Sequence, residues 1–206
     1  MTSVRAHWDA VWAGRDPATV SWFQADPVRS LELIAFAGVG CDQAVVDVGC
    51  GTSPLVARLA ELGYRNLSVL DIAQPALDLL DAAFAARLGV HSVRLICADL
   101  LAWEPDGSFT LWHDRAVNHF LLEASHRRRY VELAAGAVDR GGHVVLAAFA
   151  MDGPERCSGL PVHRADPAAL AAEFSPAFEL VSVIREHHAT PWHATQSFHY
   201  LLLRRR

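Results

Sequence analysis

Three aspartates in the first half of the chain stand at the ends of short apolar runs. Asp47 lies in AVVDVG, Asp71 near the end of NLSVLDI, and Asp99 at the end of VRLICAD. If these runs are neighbouring parallel strands, their carboxyl ends meet at one edge of a sheet, where open α/β folds bind ligands. Three carboxylates there disfavour a phosphate and favour a cationic ligand that carries a sulfonium and an ammonium.

The segment from Gly49 to Pro54 is typical of a ligand-binding turn. Gly49 and Gly51 can adopt dihedral angles closed to other residues and let the backbone approach a ligand closely. Ser53 suits the cap of a helix that Pro54 opens. The segment therefore predicts a cofactor loop between a strand and a helix.

The spacing of the acids suggests which parts of a ligand they meet. Asp71 follows Gly49 by 22 residues, about the separation at which an acid reaches both hydroxyls of an adenosine ribose. Asp99 is a candidate acceptor for an adenine amino group. A dinucleotide turn is the alternative, but it requires a third glycine three residues after Gly51, where this chain has Pro54.

A dense polar segment, from His113 to Phe120, follows the fourth apolar run and is the candidate for the substrate side. Asp114 or His119 is a candidate base that removes a proton from a protonated acceptor. Two structural interpretations stay open. Asp114 and Arg115 can form an internal ion pair, and His119, which precedes apolar residues, can be a hydrogen-bonded core histidine.

Histidines and one cysteine suggest a metal site as a further alternative, because imidazole and thiolate suit zinc or copper. None of their spacings is a metal signature, so we predict no metal site. The candidates are His113, His119, Cys157, His163, His187 and His188.

Three tryptophans precede the first strand. Trp8 and Trp12 are at helical spacing, which is more typical of core packing than of ligand contact, whereas Trp22 lies in a predicted loop. Trp12 or Trp22 is a candidate to close the cofactor site.

The order of the predicted elements indicates the fold. Short apolar runs alternate with helical stretches, which is the pattern of a doubly wound, mostly parallel α/β sheet. The last two runs predict a C-terminal antiparallel hairpin, and two helices before residue 40 predict a helical cap. The strands are predicted at 44–49, 66–72, 93–99, 109–114, 142–150, 178–188 and 197–205, and the principal later helices at 54–62, 75–88, 125–140 and 167–174.

Composition narrows the class of protein. The chain has 206 residues and 52% hydrophobic residues, enough for one domain with a continuous core. We divide that domain into a cap (1–40), a cofactor-binding core (41–150) and a substrate loop with the last strands (151–206). The net charge of −5 without a long basic run argues against nucleic acid.

The same sequence predicts a cytoplasmic protein, a monomer or homodimer, that neither spans a membrane nor carries a signal peptide. Four cysteines without paired spacing predict free thiols in a reducing compartment.

These residues together resemble the class I S-adenosylmethionine-dependent methyltransferases, over roughly residues 40 to 150. The glycine loop, the ribose-binding acid and the adenine-binding acid of that family match Asp47 to Gly51, Asp71, and Asp99 with Leu100. Ser53 departs from the commonest pattern, which has a third alternate glycine there. The N-terminal HWDAVW and VSWFQ are similar to a branch that includes small bacterial methyltransferases and lysine methyltransferases of elongation factor 1A.

The resemblance implies a Rossmann-like, seven-stranded fold and S-adenosylmethionine as the cofactor. Asp47 and the glycine loop then hold the methionine part of the cofactor. The predicted contacts are Trp12, Trp22, Asp47, Gly49, Cys50, Gly51, Asp71, Ile72, Asp99, Leu100 and His113, and the predicted catalytic residues are Asp114, Arg115 and His119.

Three functions follow from these observations. The first is methyl transfer to a small-molecule acceptor, because the chain has little beyond the core fold for docking a macromolecule. The second is methylation of a lysine on a basic protein, which the acidic net charge would attract. The third is an NAD-dependent oxidoreductase or a nucleotide-binding module on the same fold.

Overall fold

A computed structural model describes residues 3–88 and 93–206 of the chain. Seven strands form one sheet in the order β3-β2-β1-β4-β5-β9-β8, and β6 and β7 form a separate small hairpin. The strands are β1 (Val45–Val48), β2 (Leu67–Asp71), β3 (Val93–Cys97), β4 (Phe109–Arg115), β5 (Val138–Phe149), β6 (Arg156–Cys157), β7 (Leu160–Pro161), β8 (Phe178–Ala189) and β9 (Thr195–Arg205).

The helices lie between the strands as the alternation predicts. Short 3-10 turns also occur at Pro17–Thr19, Leu100–Ala102 and Asn118–Phe120. The α-helices are α1 (Val4–Trp12), α2 (Val28–Phe36), α3 (Leu55–Glu61), α4 (Gln74–Leu88), α5 (Ala124–Ala137) and α6 (Pro167–Phe174).

The central strands of the sheet are buried on both faces, whereas β3, predicted as a buried strand, is an edge strand that is largely exposed. Val45 packs with side chains of α2 and α3 in one apolar cluster, whereas Val46 and Val48 pack with α5 in a second cluster. Alternate residues of a strand point to opposite faces, so a strand covered on both sides reads as a continuous apolar run. This confirms the doubly wound, seven-stranded sheet.

Register brings the ends of the central strands together. Val48 of β1 pairs with Leu70 of β2 and with Asp114 of β4, all in parallel. β9 pairs antiparallel with both β5 and β8, which confirms the C-terminal hairpin. The carboxyl ends of β1 to β4 therefore share one edge, and the N-terminal segment with α1 and α2 packs beside it.

Two boundaries differ from the prediction. The helix predicted to reach Arg140 ends at Ala137, because Val138 already pairs with Phe109 of β4 and begins β5. The predicted loop at 151–168 contains the β6–β7 hairpin, in which Cys157 pairs with Leu160. Its strands are too short to show an alternating pattern in the sequence. No helix within the described residues is long and apolar enough to cross a membrane.

Candidate active site

A cavity of about 340 Å³ opens at the carboxyl edge of the sheet. The predicted cofactor contacts all line it, namely Trp12, Trp22, Asp47, Gly49, Cys50, Gly51, Asp71, Ile72, Asp99, Leu100 and His113. Of the three predicted catalytic residues, Arg115 lines the cavity, whereas Asp114 and His119 are not part of its wall. The predicted cofactor contacts thus lie together on one cavity, whereas the predicted catalytic residues do not.

Both glycines of the loop adopt backbone angles that favour glycine. Gly49 has a φ of 61° and Gly51 a φ of 51°, in the left-handed region. A Cβ on Gly49 would lie 1.9 Å from the Val117 side chain, and one on Gly51 would lie 2.8 Å from the ring of Trp12. Close packing of Val117 and Trp12 against this loop therefore depends on the absence of side chains.

Asp71 holds the glycine loop in place. Its Oδ2 accepts a hydrogen bond from the Gly51 N–H at 2.8 Å, and its Oδ1 accepts one from the Ala73 N–H at 2.9 Å. Burial raises the pKa of this carboxyl, and the two N–H donors counteract part of that rise. Asp71 joins the end of β2 to the loop after β1 while remaining on the cavity wall.

Asp47 belongs to a buried chain of hydrogen bonds. Its Oδ1 lies 2.6 Å from Nδ1 of His113, and Nε2 of His113 lies 2.8 Å from the Ser30 hydroxyl on α2. Asp47 Oδ2 is also buried but has no partner among the described residues. Because a buried carboxylate oxygen is costly without a donor, Oδ2 is suited to receive a cationic group from the cavity.

Asp99 and Leu100 begin the turn that follows β3. Asp99 Oδ1 accepts from the Leu101 N–H at 3.0 Å, and the rest of this carboxylate is exposed. Beside them Arg5 donates to the Ile72 carbonyl at 2.6 Å and to Cys97 Sγ at 3.1 Å. Arg5 therefore ties α1 to the ends of β2 and β3.

Aromatic rings form the wall contributed by the N-terminal segment and the turn after β4, which we call the aromatic wall (Trp8, Trp12, Trp22 and Phe120). The centroid of Trp8 lies 5.2 Å from that of Phe120 and 6.1 Å from that of Trp22, and Trp12 lies 6.0 Å from Trp22. These are edge-to-face contacts, which hold the rings in defined orientations.

Asp114 points into the protein. Its oxygens accept from the N–H groups of Val117 and Asn118 at 2.8 and 3.0 Å and from the Tyr130 hydroxyl at 2.7 Å. The Tyr130 hydroxyl in turn accepts from Trp112 Nε1 at 2.9 Å. Complete burial raises the pKa of Asp114 to about 6 despite these donors.

Arg115 turns toward the cavity from the same strand. Its Nε donates to the Tyr200 hydroxyl at 2.8 Å, and its Nη1 donates to the Trp22 carbonyl at 2.9 Å. Its guanidinium also lies 4.8 Å from the centroid of Phe198. The ion pair predicted between Asp114 and Arg115 does not form, because adjacent residues of a strand face opposite sides of the sheet.

His119 is completely buried next to Phe120 and Phe149. Neither ring nitrogen has a hydrogen-bond partner among the described residues. Burial lowers the pKa of this imidazole to about 3. The ring is therefore neutral near pH 7 and behaves as an apolar side chain.

Comparisons with known proteins agree with this geometry. A family model described as a methyltransferase domain matches residues 45–142, which span β1 to the first part of β5. The part of the chain from β1 to the start of β5 is therefore similar to a methyltransferase domain. Among curated protein sequences the search finds no significant match.

Several solved structures share the fold of this chain. One was solved in connection with the conversion of a disulfide bond into a thioacetal group during echinomycin biosynthesis (TM-score 0.75, 21% identity, 98% of this chain and 92% of that chain). Another is the N-methyltransferase NodS from Bradyrhizobium japonicum with S-adenosylhomocysteine (TM-score 0.74, 13% identity, 98% and 99% coverage). A third is 1,6-didemethyltoxoflavin-N1-methyltransferase from Burkholderia thailandensis (TM-score 0.71, 20% identity, 98% and 84% coverage).

The placement of Asp114 and His119 argues against their predicted role as a general base. A general base must come within hydrogen-bond reach of the proton that it removes, and neither side chain lines the cavity. The polar composition of the segment suggested a catalytic role for these residues. Whether each side chain turns toward the cavity or into the core, however, depends on how β4 pairs with its neighbouring strands. His119 lies in the core as the alternative interpretation predicted, but the hydrogen bond expected of its ring does not form within the described residues.

The metal candidates lie in separate surroundings. His188 contacts the Ser21 carbonyl, His187 lies near the Ser197 hydroxyl, and His163 lies 4.0 Å from Glu173. Across residues 3–88 and 93–206, no group of three or more His, Cys, Asp or Glu side chains is arranged to hold a metal ion.

Several contributors to the site were missed from the sequence. Ser30 supports His113 from α2, Arg5 bridges two strand ends, and Val117 packs on the glycine loop. None of them belongs to a recognisable motif, because each acts through a contact between residues far apart in the chain. The helical spacing of Trp8 and Trp12 correctly predicted α1, yet both rings also line the cavity.

Proposed function

We propose that this methyltransferase transfers a methyl group from S-adenosylmethionine to a small-molecule acceptor. The observation that carries the proposal is the set of three carboxylates, Asp47, Asp71 and Asp99, on one cavity beside the glycine loop. Carboxylates suit a ligand that bears a sulfonium and an ammonium and can also accept from hydroxyl and amino groups.

Each acidic side chain is assigned one part of the cofactor. Asp47 Oδ2, buried and unpartnered, receives the ammonium of the methionine part, while His113 and Ser30 hold the carboxylate in position. Asp71 accepts from the ribose hydroxyls in addition to its backbone donors, since each carboxylate oxygen has two acceptor directions. Asp99 accepts from the adenine amino group, with Leu100 beside it.

The sulfonium of S-adenosylmethionine supplies an already activated methyl group, so the protein mainly has to align the acceptor and exclude water. Trp12 packs on Gly51 and covers the loop, and the rest of the aromatic wall encloses the adjoining space.

The other candidate functions have less support. An NAD-binding site would bring a pyrophosphate beside Asp47 and Asp71, where like charges repel it. The acidic net charge favours a basic protein partner and is the observation behind the lysine alternative. We also propose a cytoplasmic location and a monomer or homodimer, on the sequence alone.

Calorimetry tests the proposal directly. We expect S-adenosylhomocysteine to bind with micromolar affinity and NAD to give no heat. Asp71→Asn should weaken S-adenosylhomocysteine binding about tenfold or more, because an amide cannot accept from both the Gly51 and Ala73 N–H groups and also from the ribose.

The matched control is Asp106→Asn, which changes an exposed aspartate paired with Arg94 and away from the cavity. It should leave the affinity unchanged. Binding of NAD without binding of S-adenosylhomocysteine would reject the proposed function, and thermal unfolding of both variants checks that each is folded.

A further inference from the structure

The walls of the cavity differ in charge. Its acidic side chains are Asp47, Asp71 and Asp99, which the proposed function assigns to the cofactor. The part formed by the aromatic wall, Cys157 and the start of the turn after β4 contains Arg115 and, among described lining residues, no carboxylate. We propose that the methyl acceptor is a planar aromatic small molecule with an anionic group, and that Arg115 receives this group. The inference rests on the proposed function and specifies its acceptor.

Arg115 is held in a fixed position without a direct counter-ion. Its guanidinium forms no ion pair with a carboxylate of the described residues. The nearest acidic group in this network is Glu186, which shares the Tyr200 hydroxyl with Arg115 and accepts from Gln24 on the cavity wall. Nη2 of Arg115 has no hydrogen-bond partner. A largely covered guanidinium without a counter-ion has an unfavourable free energy, because its charge is partly removed from water. An anion in the cavity would supply the missing partner.

The charge of Arg115 acts on the same part of the wall. Burial raises the pKa of Cys157 to about 12, and the nearby Arg115 charge opposes this rise. Cys157, which belongs to the separate β6–β7 hairpin, lines the same cavity as Arg115. An acceptor that enters between the hairpin and the N-terminal loop would meet this positive charge.

The aromatic wall indicates a planar acceptor. Trp8 has edge-to-face contacts with Trp22 and Phe120, and all three rings line the cavity. Flat apolar surfaces of this kind favour a ring that can pack against them. Phe23 extends the same wall.

Charge separates this acceptor from a lysine side chain. Aromatic rings alone can attract an ammonium through cation–π contacts. Here, however, the guanidinium of Arg115 would repel an ammonium, and no described carboxylate on this part of the wall compensates. A phenolate or carboxylate carried by an aromatic ring has both the shape and the sign that this wall favours.

Three probes of nearly equal shape test the inference. They are 4-hydroxybenzoate, 4-hydroxybenzamide and 4-hydroxybenzylamine, which differ in the charge of one substituent. Binding is measured by quenching of tryptophan fluorescence on protein saturated with S-adenosylhomocysteine. We expect the benzoate to bind about tenfold more tightly than the amide, as one charge-assisted hydrogen bond implies, and the amine to bind most weakly.

Variants then connect the preference to Arg115. Arg115→Gln should remove the preference for the benzoate, and Arg115→Lys should retain part of it. The affinity for S-adenosylhomocysteine should stay within about twofold of wild type in both. Arg65→Gln, which removes an exposed arginine paired with Asp42, is the matched control and should keep the full preference.

The outcomes separate this inference from the proposed function. If S-adenosylhomocysteine does not bind, both are rejected. If it binds but the wild type does not favour the benzoate over the amide, or favours the amine, the acceptor assignment alone is rejected, and preference for the amine supports the lysine alternative. Loss of S-adenosylhomocysteine affinity in a folded Arg115→Gln protein would assign Arg115 to the cofactor carboxylate instead. The wild-type comparison remains decisive even if the variant does not fold.

Discussion

The loops after β1 and β4 end at the same edge of the sheet and use their polar side chains in different ways. After β1, Gly49 and Gly51 leave the cavity open, and Asp47 keeps one buried oxygen without a protein donor. After β4, Asp114 and His119 are fully buried and do not line the cavity. Only Arg115 of that predicted catalytic set reaches the wall.

This difference separates polar groups that bind a ligand from polar groups that build the site. Asp114 accepts three hydrogen bonds and thereby fixes the backbone of the turn on which Arg115 and Val117 stand. Val117 in turn packs against Gly49. Asp114 is therefore a residue that positions the site from within the core, whereas Asp47 offers the cavity an acceptor.

The largest expected effect is on stability, from Asp114→Ala. Three buried donors, on Val117, Asn118 and Tyr130, would lose their acceptor, which should lower the free energy of unfolding by about 3 to 5 kcal/mol. Urea denaturation measures it. Asp106→Ala, in an exposed ion pair with Arg94, should cost less than about 1 kcal/mol. Equal costs for the two variants would contradict the role of Asp114 in holding the turn after β4 from within the core.

The next effect is on cofactor binding, from Gly51→Ala. The new Cβ would combine a left-handed backbone with a contact 2.8 Å from the Trp12 ring, so we expect S-adenosylhomocysteine affinity to fall about 10- to 100-fold. Gly38→Ala is the matched control, since Gly38 has a φ of 69° but open space around it. It should reduce stability slightly and leave affinity unchanged. Unchanged affinity in Gly51→Ala would contradict the assigned cofactor loop.

The smallest effect is a change in pH dependence, from His119→Leu. The pKa of His119 is lowered to about 3 in the folded protein. Below about pH 6.5 the unfolded chain therefore binds a proton that the folded protein excludes, and the free energy of unfolding decreases as the pH is lowered. The pKa of Asp114, raised to about 6, acts in the opposite direction between that value and its ordinary value near 3.8.

Comparison of wild type with His119→Leu isolates the histidine contribution. From about pH 7 to about pH 5 the variant should lose about 1 to 2 kcal/mol less stability than wild type, with S-adenosylhomocysteine affinity retained. His187→Leu, at an exposed histidine, serves as the control and should follow the wild type. A parallel pH profile in His119→Leu would show that His119 does not stay neutral in the core.

The fold and the glycine turn after β1 could be predicted because their signals are local. The apolar runs ending at Asp47, Asp71 and Asp99 have the length and spacing of buried parallel strands, and parallel strands bring their carboxyl ends to one edge. Gly49 and Gly51 mark the turn because few other residues adopt its backbone angles.

The sequence by itself determined the order of the elements, the seven strands and which acids stand at strand ends, since periodicity and turn chemistry are encoded by near neighbours. Only the tertiary structure decided that Asp114 faces Tyr130 while Arg115 faces Trp22, and that Ser30 reaches His113. These contacts join residues between 16 and 93 positions apart. They depend on strand register and on how the N-terminal segment covers the sheet, and no local pattern in the chain records either.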